Sequence, residues 1–318
     1  MTEHTLSVEG HGPVLLARFD GPPHGLVGPD LAEQLAALVD RATDDPGVRA
    51  VVLTGAHPDR FIAHADVRWL QEGGAASPKA GPGLAGGIAR AGAAARRVGP
   101  ESVVSRTPLW GAVQLDKLHD TLLRMNTSGA VFVAALNGSA LGLGHEIALA
   151  CDLRIAADGD HQLGQPEILL GFNPGGGGTQ RLPRLVGNHR ALLMILEGRA
   201  LTPAEALEAG TVDAVVPADE LLDTALARAA HLGARDKAAI AACKRAIYLG
   251  GSATLPEGLH AERREFLSVL TGHHAQAVMR SYLADTDTSG DLPLYDTDAY
   301  AAALSSGSFP TMPTTGLH

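Results

Sequence analysis

The stretch from Val131 to Gly187 constrains this chain more than any other. It opens on an apolar run of β type, Val131–Leu136, which stops at the turn pair Asn137-Gly138. A glycine-spaced segment, Leu141-Gly142-Leu143-Gly144, then leads into a short apolar helix carrying Glu146. A second, mostly apolar run covers Leu153–Ala157. Gln165-Pro166-Glu167 follows, and Pro166 read as a first helical residue places Glu167 in a first turn. Four glycines, Gly175 to Gly178, precede a further helix. Two carboxylates thus each stand beside an apolar run and near a helix start.

The flanking chain supports an α/β arrangement. Leu6–Glu9 and Val14–Phe19 read as a hairpin joined around Gly10-His11-Gly12. Leu31–Ala42 has helical spacing, with Leu31, Leu35, Leu38 and Val39 on one face. Ala50–Leu53 is a short apolar strand of the kind buried between helices, so strand and helix alternate. Residues 71–115 break the pattern. Gly73–Gly87 is rich in Gly, Ala, Pro and Ser without a period, and a helix is expected only over Ile88–Val98. This segment reads as an active-site cover or a disordered surface loop. Leu115–Met125 gives the next helix.

Beyond the central stretch, His189–Glu197 is helical, and Thr202-Pro203-Ala204-Glu205 is a capping box closed downstream by Gly210. Val212–Val216 is a short strand. Helices are expected over 219–230, 236–248, 259–270 and 275–284. The divisions are therefore a core over 1–200 with the 71–115 insertion, a helical C-terminal domain over 201–284, and a tail over 285–318 with few apolar anchors.

The formal net charge of −10 and the absence of a long basic run argue against a nucleic-acid partner. The start, MTEHTLSVEG, lacks the basic-then-apolar pattern of a signal peptide, and no apolar run is long enough for a membrane span. Cys151 and Cys243 read as two buried, reduced thiols, which suits a cytoplasmic protein. His145-Glu146 lacks the second histidine of a zinc helix, Ser139 is not in a nucleophile elbow, and Gly175–Gly178 lacks the lysine of a phosphate loop. No metal is expected. Close packing of main-chain segments is the expected use of the glycines.

The ordered series Asn137-Gly138, Ala140-Leu141-Gly142, Gly144, Glu146, Cys151-Asp152, Gly164-Gln165-Pro166-Glu167 and Pro174-Gly175 through Thr179-Gln180-Arg181-Leu182 resembles the enoyl-CoA hydratase/isomerase, or crotonase, superfamily. The resemblance covers roughly residues 10 to 70 and 120 to 250. It implies a crotonase-like ββα spiral core with a helical C-terminal unit, assembled as a trimer or hexamer. It also implies an acyl-CoA thioester substrate that carries its own coenzyme A, with no separate cofactor, and a place in fatty acid metabolism.

Phe61-Ile62-Ala63-His64-Ala65-Asp66 is similar to the family's Phe-x-Ala-Gly-Ala-Asp segment. The resemblance implies an oxyanion hole from the backbone N–H groups of Ala63 and Leu143, and substrate contacts from Ala63, His64, Ala65, Asp66, Gly142 and Leu143. Glu146 and Glu167 are the implied catalytic pair. Two close carboxyls in a dry pocket do not both ionise, so one remains protonated, as acid–base chemistry requires. Family members with both glutamates are commonly hydratases, which add water syn to a 2-enoyl-CoA. Double-bond isomerisation with one glutamate, and acyl-CoA binding without turnover, stand as alternatives. His64 and Leu143 replace the family's usual glycines, His145 directly precedes Glu146, and Thr271–Gln276 lacks the acidic-Glu-Gly pattern often found there. The two histidines are candidates for tuning an atypical acyl group.

Overall fold

The computed structural model describes residues 4–76 and 79–311. The hairpin forms as expected: β1 (Thr5–His11) and β2 (Val14–Asp20) pair antiparallel, from Thr5 opposite Asp20 to His11 opposite Val14. After β3 (Leu26–Val27) and helix α1 (Pro29–Asp44), strand β4 (Ala50–Gly55) returns parallel to β2. Two short strands, β5 (Arg60–Ile62) and β6 (His64–Ala65), lead to α2 (Val67–Ala76). The 71–115 segment then contributes α3 (Pro82–Val98), α4 (Glu101–Val104) and the start of α5 (Trp110–Met125).

The central stretch supplies β7 (Val131–Leu136), β8 (Ser139–Leu141), α6 (Leu143–Ala150), β9 (Leu153–Ala157) and β10 (Leu163–Gly164). Helices α7 (Gly178–Val186), α8 (Asn188–Glu197) and α9 (Pro203–Ala209) follow, then β11 (Ala214–Val216) and α10 (Leu221–Gly233). The main sheet runs β1-β2-β4-β7-β9-β11, parallel throughout except for the first pair.

Strand alternation sorts its side chains onto two faces. Leu15, Ala17, Val51, Leu53, Phe132 and Ala134 point into one core, shared with α1, α5 and α6. Leu16, Val52, Val133 and Ile155 point into a second core under α10. Burial on both faces explains why β4 and β7 read as unbroken apolar runs. A small parallel sheet, β10-β8-β5, and the pair β3-β6 stand apart from it and carry the site.

Four expectations need correction. The division at residue 200 does not follow the packing: β11 extends the main sheet, α10 covers its second face, and Leu201 exchanges backbone hydrogen bonds with Leu163. The outer helices therefore begin later, as α11 (Lys237–Tyr248), α12 (Leu255–Leu270) and α13 (His273–Ser289).

The insertion is helical from Pro82 onward and docked. Glycine at position 92 lets α3 approach α5 closely, since a Cβ there would lie 2.8 Å from that of Ala112. Arg96 forks to Asp116 at 2.8 Å and Asp120 at 2.7 Å, and α5 begins at Trp110 rather than Leu115. Residues 77 and 78 of the expected loop lie outside the described residues.

The expected tail is in part ordered helix. The α13 helix runs to Ser289, and α14 (Thr297–Ser306) is capped by the Asp296 side chain. It docks through small residues, which an apolar-anchor reading misses: Ala303 is buried, and Gly307 sits so close that a Cβ would lie 2.4 Å from the Ala234 carbonyl. Residues 312–318 lie outside the described residues, as do residues 1–3 of the N-terminal start. Finally, Cys151 is buried but Cys243 is exposed. Among the described residues no helix is long and apolar enough to cross a membrane.

Candidate active site

The α6 helix begins directly at the site. Its N-cap, Gly142, has φ of 51°, a conformation that favours glycine, and a Cβ there would stand 3.1 Å from Glu167 Oε1. All eight residues of α6 are buried, and Glu146 lies in its first turn. Glu146 Oε1 accepts hydrogen bonds from the backbone N–H groups of Gly176 at 2.8 Å and Gly178 at 2.7 Å. The glycine run therefore does more than allow close packing: it cradles a carboxylate.

That cradle is held from behind. Arg181 donates through Nε and Nη2 to Asn126 Oδ1, both at 3.0 Å, while Asn126 Nδ2 donates to the Ala150 carbonyl at 2.8 Å. His119 Nε2 lies 2.6 Å from the Gly175 carbonyl, which it meets as a donor. Burial pushes the Glu146 carboxyl above the ordinary range, while the Gly178 and Gly176 donors and the nearby His119 and Arg181 oppose that rise. Sequence reasoning assigns no site role to Gly176, Gly178, His119 or Arg181; the glycine run and the motif that follows it signal all of these but His119, which has no sequence signal.

Glu167 arrives through the small sheet. Pairing of β10 with β8 sets Gly164 opposite Leu141, and Gly142 N–H donates to the Gly164 carbonyl at 2.9 Å. Glu167 therefore emerges beside Gly142. It opens a 3-10 turn, Glu167–Leu170, with Pro166 as N-cap rather than first helical residue. The proline is displaced by one position because the turn is 3-10, but the carboxyl still lies in a first turn as expected. Burial, reinforced by the neighbouring Glu146, pushes the Glu167 carboxyl up to about 7, against the pull of a backbone hydrogen bond at its own residue.

Both carboxyls line one cavity of about 720 Å³, together with His64, Ala65, Gly142 and Leu143. Trp69, Leu70, Trp110, Leu118 and Phe172 form an apolar wall, so the 71–115 segment contributes to the site. Three expected contacts are not found there. The Ala63 N–H donates to the Gly25 carbonyl at 2.8 Å, and Ala63 is not among the lining residues. Its amide is consumed by the backbone pairing that continues into β3-β6, whereas Ala65, two residues on, does line the cavity. Asp66 instead accepts from Arg68 N–H at 2.9 Å, which serves the start of α2. His145 is buried away from the cavity, beside Gln165. Leu143 lines the cavity and, as the first residue of α6, has an N–H with no partner within the helix.

Comparison with known proteins identifies the family and the fold. The enoyl-CoA hydratase/isomerase family model matches residues 107–288. A probable mitochondrial enoyl-CoA hydratase of Dictyostelium discoideum is 42% identical over 151 residues, which are 48% of this chain and 54% of that protein. The fatty acid oxidation complex subunit alpha of Shewanella loihica is 36% identical over 200 residues, covering 63% of this chain but only 23% of the relative. The chain thus spans about half of the first of these and under a quarter of the second. An enoyl-CoA hydratase of Bacillus anthracis has a similar structure, with a TM-score of 0.68, 28% identity, and coverage of 91% of this chain and 98% of that one. The family model, which matches more than half of the chain, is consistent with the fold likeness: the chain belongs to the enoyl-CoA hydratase/isomerase family.

Proposed function

We propose that the protein adds water to the double bond of a 2-enoyl-CoA. The observation that carries this reading is the contrast between two buried carboxyls facing one cavity. Glu146 receives two backbone N–H donors, which favour its ionised form. Glu167, pushed up to about 7, holds a proton near neutral pH. Burial raises both carboxyls, and it is the pair of backbone donors opposing that rise at Glu146 that assigns a proton shared between them to Glu167.

In the proposed reaction the thioester oxygen lies against the N–H of Leu143, with Ala65 as the second donor in place of Ala63. Each such donor stabilises the developing enolate by about 2.7–4 kcal/mol in well-studied oxyanion holes. The N-terminal end of α6 adds a field of the same sign. Glu146 takes a proton from water as its oxygen bonds to the β-carbon, and Glu167 gives its proton to the α-carbon. The product is a 3-hydroxyacyl-CoA, and passage of a proton between the two carboxyls restores the starting state. These steps need no group beyond the carboxyls, the backbone donors and the coenzyme A borne by the substrate.

The test follows loss of the conjugated thioester absorbance with short and medium 2-enoyl-CoA esters. Glu146→Gln and Glu167→Gln are each expected to lower kcat by about 10²–10⁴-fold. Activity that survives in either variant would refute the paired roles and move the assignment to one-carboxylate isomerisation. A trimer or hexamer belongs to the same proposal. The exposed leucines Leu169, Leu192, Leu193 and Leu196 are the surface it would cover, and sedimentation velocity decides it.

A further inference from the structure

Behind Glu167, away from the cavity, lie two further buried polar side chains, Gln165 and His145, each 2% exposed. The side-chain amide of Gln165 sits between the Glu167 carboxyl and His145 Nδ1. With its nitrogen toward the carboxyl, the amide donates to Oε1 at 3.0 Å and Oε2 at 3.3 Å, and its oxygen accepts from His145 Nδ1–H at 3.0 Å. Turned the other way, its nitrogen meets Nδ1 at 3.0 Å and its oxygen faces the carboxyl oxygens. That second arrangement holds together only if protonated Glu167 donates its O–H to the Gln165 oxygen as a hydrogen bond and the imidazole carries its own proton on Nε2. Hydrogen positions follow here from which arrangement satisfies every group.

His145 decides between them. Its Nε2 has no hydrogen-bond partner among the described residues. A proton on Nε2 would therefore bury an unpaired N–H, whereas a proton on Nδ1 finds the Gln165 oxygen. Burial, and secondarily the charge of Arg154, push the imidazole down to about 4, so it stays neutral and keeps one tautomer through the neutral range. Helical geometry makes the arrangement possible: Glu146 and His145 are adjacent on α6, so one faces the cavity and the other faces Gln165.

We propose that His145 is a positioning residue for proton transfer at Glu167: its Nδ1–H fixes the Gln165 amide so that Gln165 donates to the Glu167 carboxyl and cannot accept a hydrogen bond from its O–H. The function rests on the hydratase reading above. Protonated Glu167, denied an acceptor behind it, turns its O–H toward the cavity. Once the proton has left, the carboxylate meets a donor already in place, which makes Glu167 a stronger acid than burial alone would leave it. The other titratable or charged groups around the pair are Glu146 on α6 and His64 on β6, which share its cavity; His119 on α5 and Arg181 on α7, which act on Glu146; and Arg154 on β9, which acts on His145.

Two measurements test the relay. The first compares His145→Leu with His145→Asn, since an asparagine amide nitrogen takes about the place of Nδ1 and can still donate to Gln165. His145→Leu should lower kcat about tenfold at unchanged KM. It should also move the alkaline limb of the kcat profile upward by about one to two pH units, because Glu167 loses its fixed donor. His145→Asn should keep the parent profile. A leucine variant with the parent's profile, or an asparagine variant that behaves like leucine, overturns the proposal. The second measurement is the ¹⁵N spectrum of the His145 imidazole in the unmodified protein. A proton on Nδ1 is expected, and a proton on Nε2 overturns the proposal whatever reaction the protein catalyses. Failure of the parent to hydrate any enoyl-CoA would sink the hydratase reading, while the imidazole spectrum would still decide the relay.

Discussion

Replacing Gly176 with alanine isolates what the glycine turn does for catalysis. The backbone at Gly176 is not in the left-handed region, so alanine is conformationally acceptable there. Its Cβ, however, would lie 2.6 Å from Glu146 Oε2, 2.9 Å from Leu143 Cδ1 and 3.1 Å from Glu146 Cδ. Something must move, and Glu146 cannot move freely, because its Oε1 is fixed by the Gly176 and Gly178 N–H groups at 2.8 and 2.7 Å. Relief of the clash displaces the carboxyl by several tenths of an ångström and weakens at least one charge-assisted hydrogen bond worth about 1.5–3 kcal/mol. A base misplaced by about 1 Å can cost on the order of 10²-fold in rate. Gly176→Ala should therefore lower kcat for hydration by about 10–10²-fold, with KM little changed. The thioester absorbance assay reads the rate, and thermal unfolding reads the structural cost. A variant whose kcat lies within about threefold of the parent would show that Glu146 needs no fixed position, and the argument from the cradle would fail.

Other outcomes follow from the same contacts. Because the Glu167 pKa is raised to about 7, its proton stabilises the folded state below the unfolded carboxyl value, and that contribution is lost as pH rises through about 7. Urea midpoints should accordingly fall between about pH 5 and 8 in the parent, and less so in Glu167→Gln; equal slopes would contradict the assignment. Lys244 is buried and bridges Asp152 at 2.7 Å and the Ala130 carbonyl at 2.9 Å. Lys244→Met leaves a buried charge unpaired and should destabilise by about 3–5 kcal/mol in urea titration, with adding Asp152→Asn recovering much of the loss. Leu143→Ala truncates a buried cavity-lining side chain; it should cost about 2–5 kcal/mol and raise turnover of bulkier acyl esters relative to short ones. An unchanged ratio between the two ester classes would mean that Leu143 does not limit the pocket.

Order along the chain was enough to locate the two glutamates, because both are set by local patterns: an apolar strand, a glycine turn and a short helix in one case, and a proline-led turn in the other. The same local logic found the hairpin, the buried parallel strands and the Thr202 capping box, which the structure keeps with its reciprocal hydrogen bonds. Local patterns could not tell which small residue of this segment meets the cavity. Ala63 and Ala65 are both small and lie two residues apart, and only the pairing of the Ala63 N–H with the Gly25 carbonyl separates them. Nor could they reveal that Gly176 and Gly178 hold Glu146, since those residues lie 30 and 32 positions away in sequence.

The first turns of α3, the docking of that helix, and α14 escape a sequence reading for a related reason. Their docking relies on small residues, Gly92 and Gly307, whose value lies in how closely another segment approaches, and composition reads such residues as loop. Periodicity and turn chemistry act between neighbours, so residue order alone decides the strands, the helix starts and the candidate acids. Which N–H is free, which carboxyl keeps the proton and which side of α6 meets the cavity depend on burial and on partners brought in from elsewhere, and desolvation exists only once the chain has closed around the site.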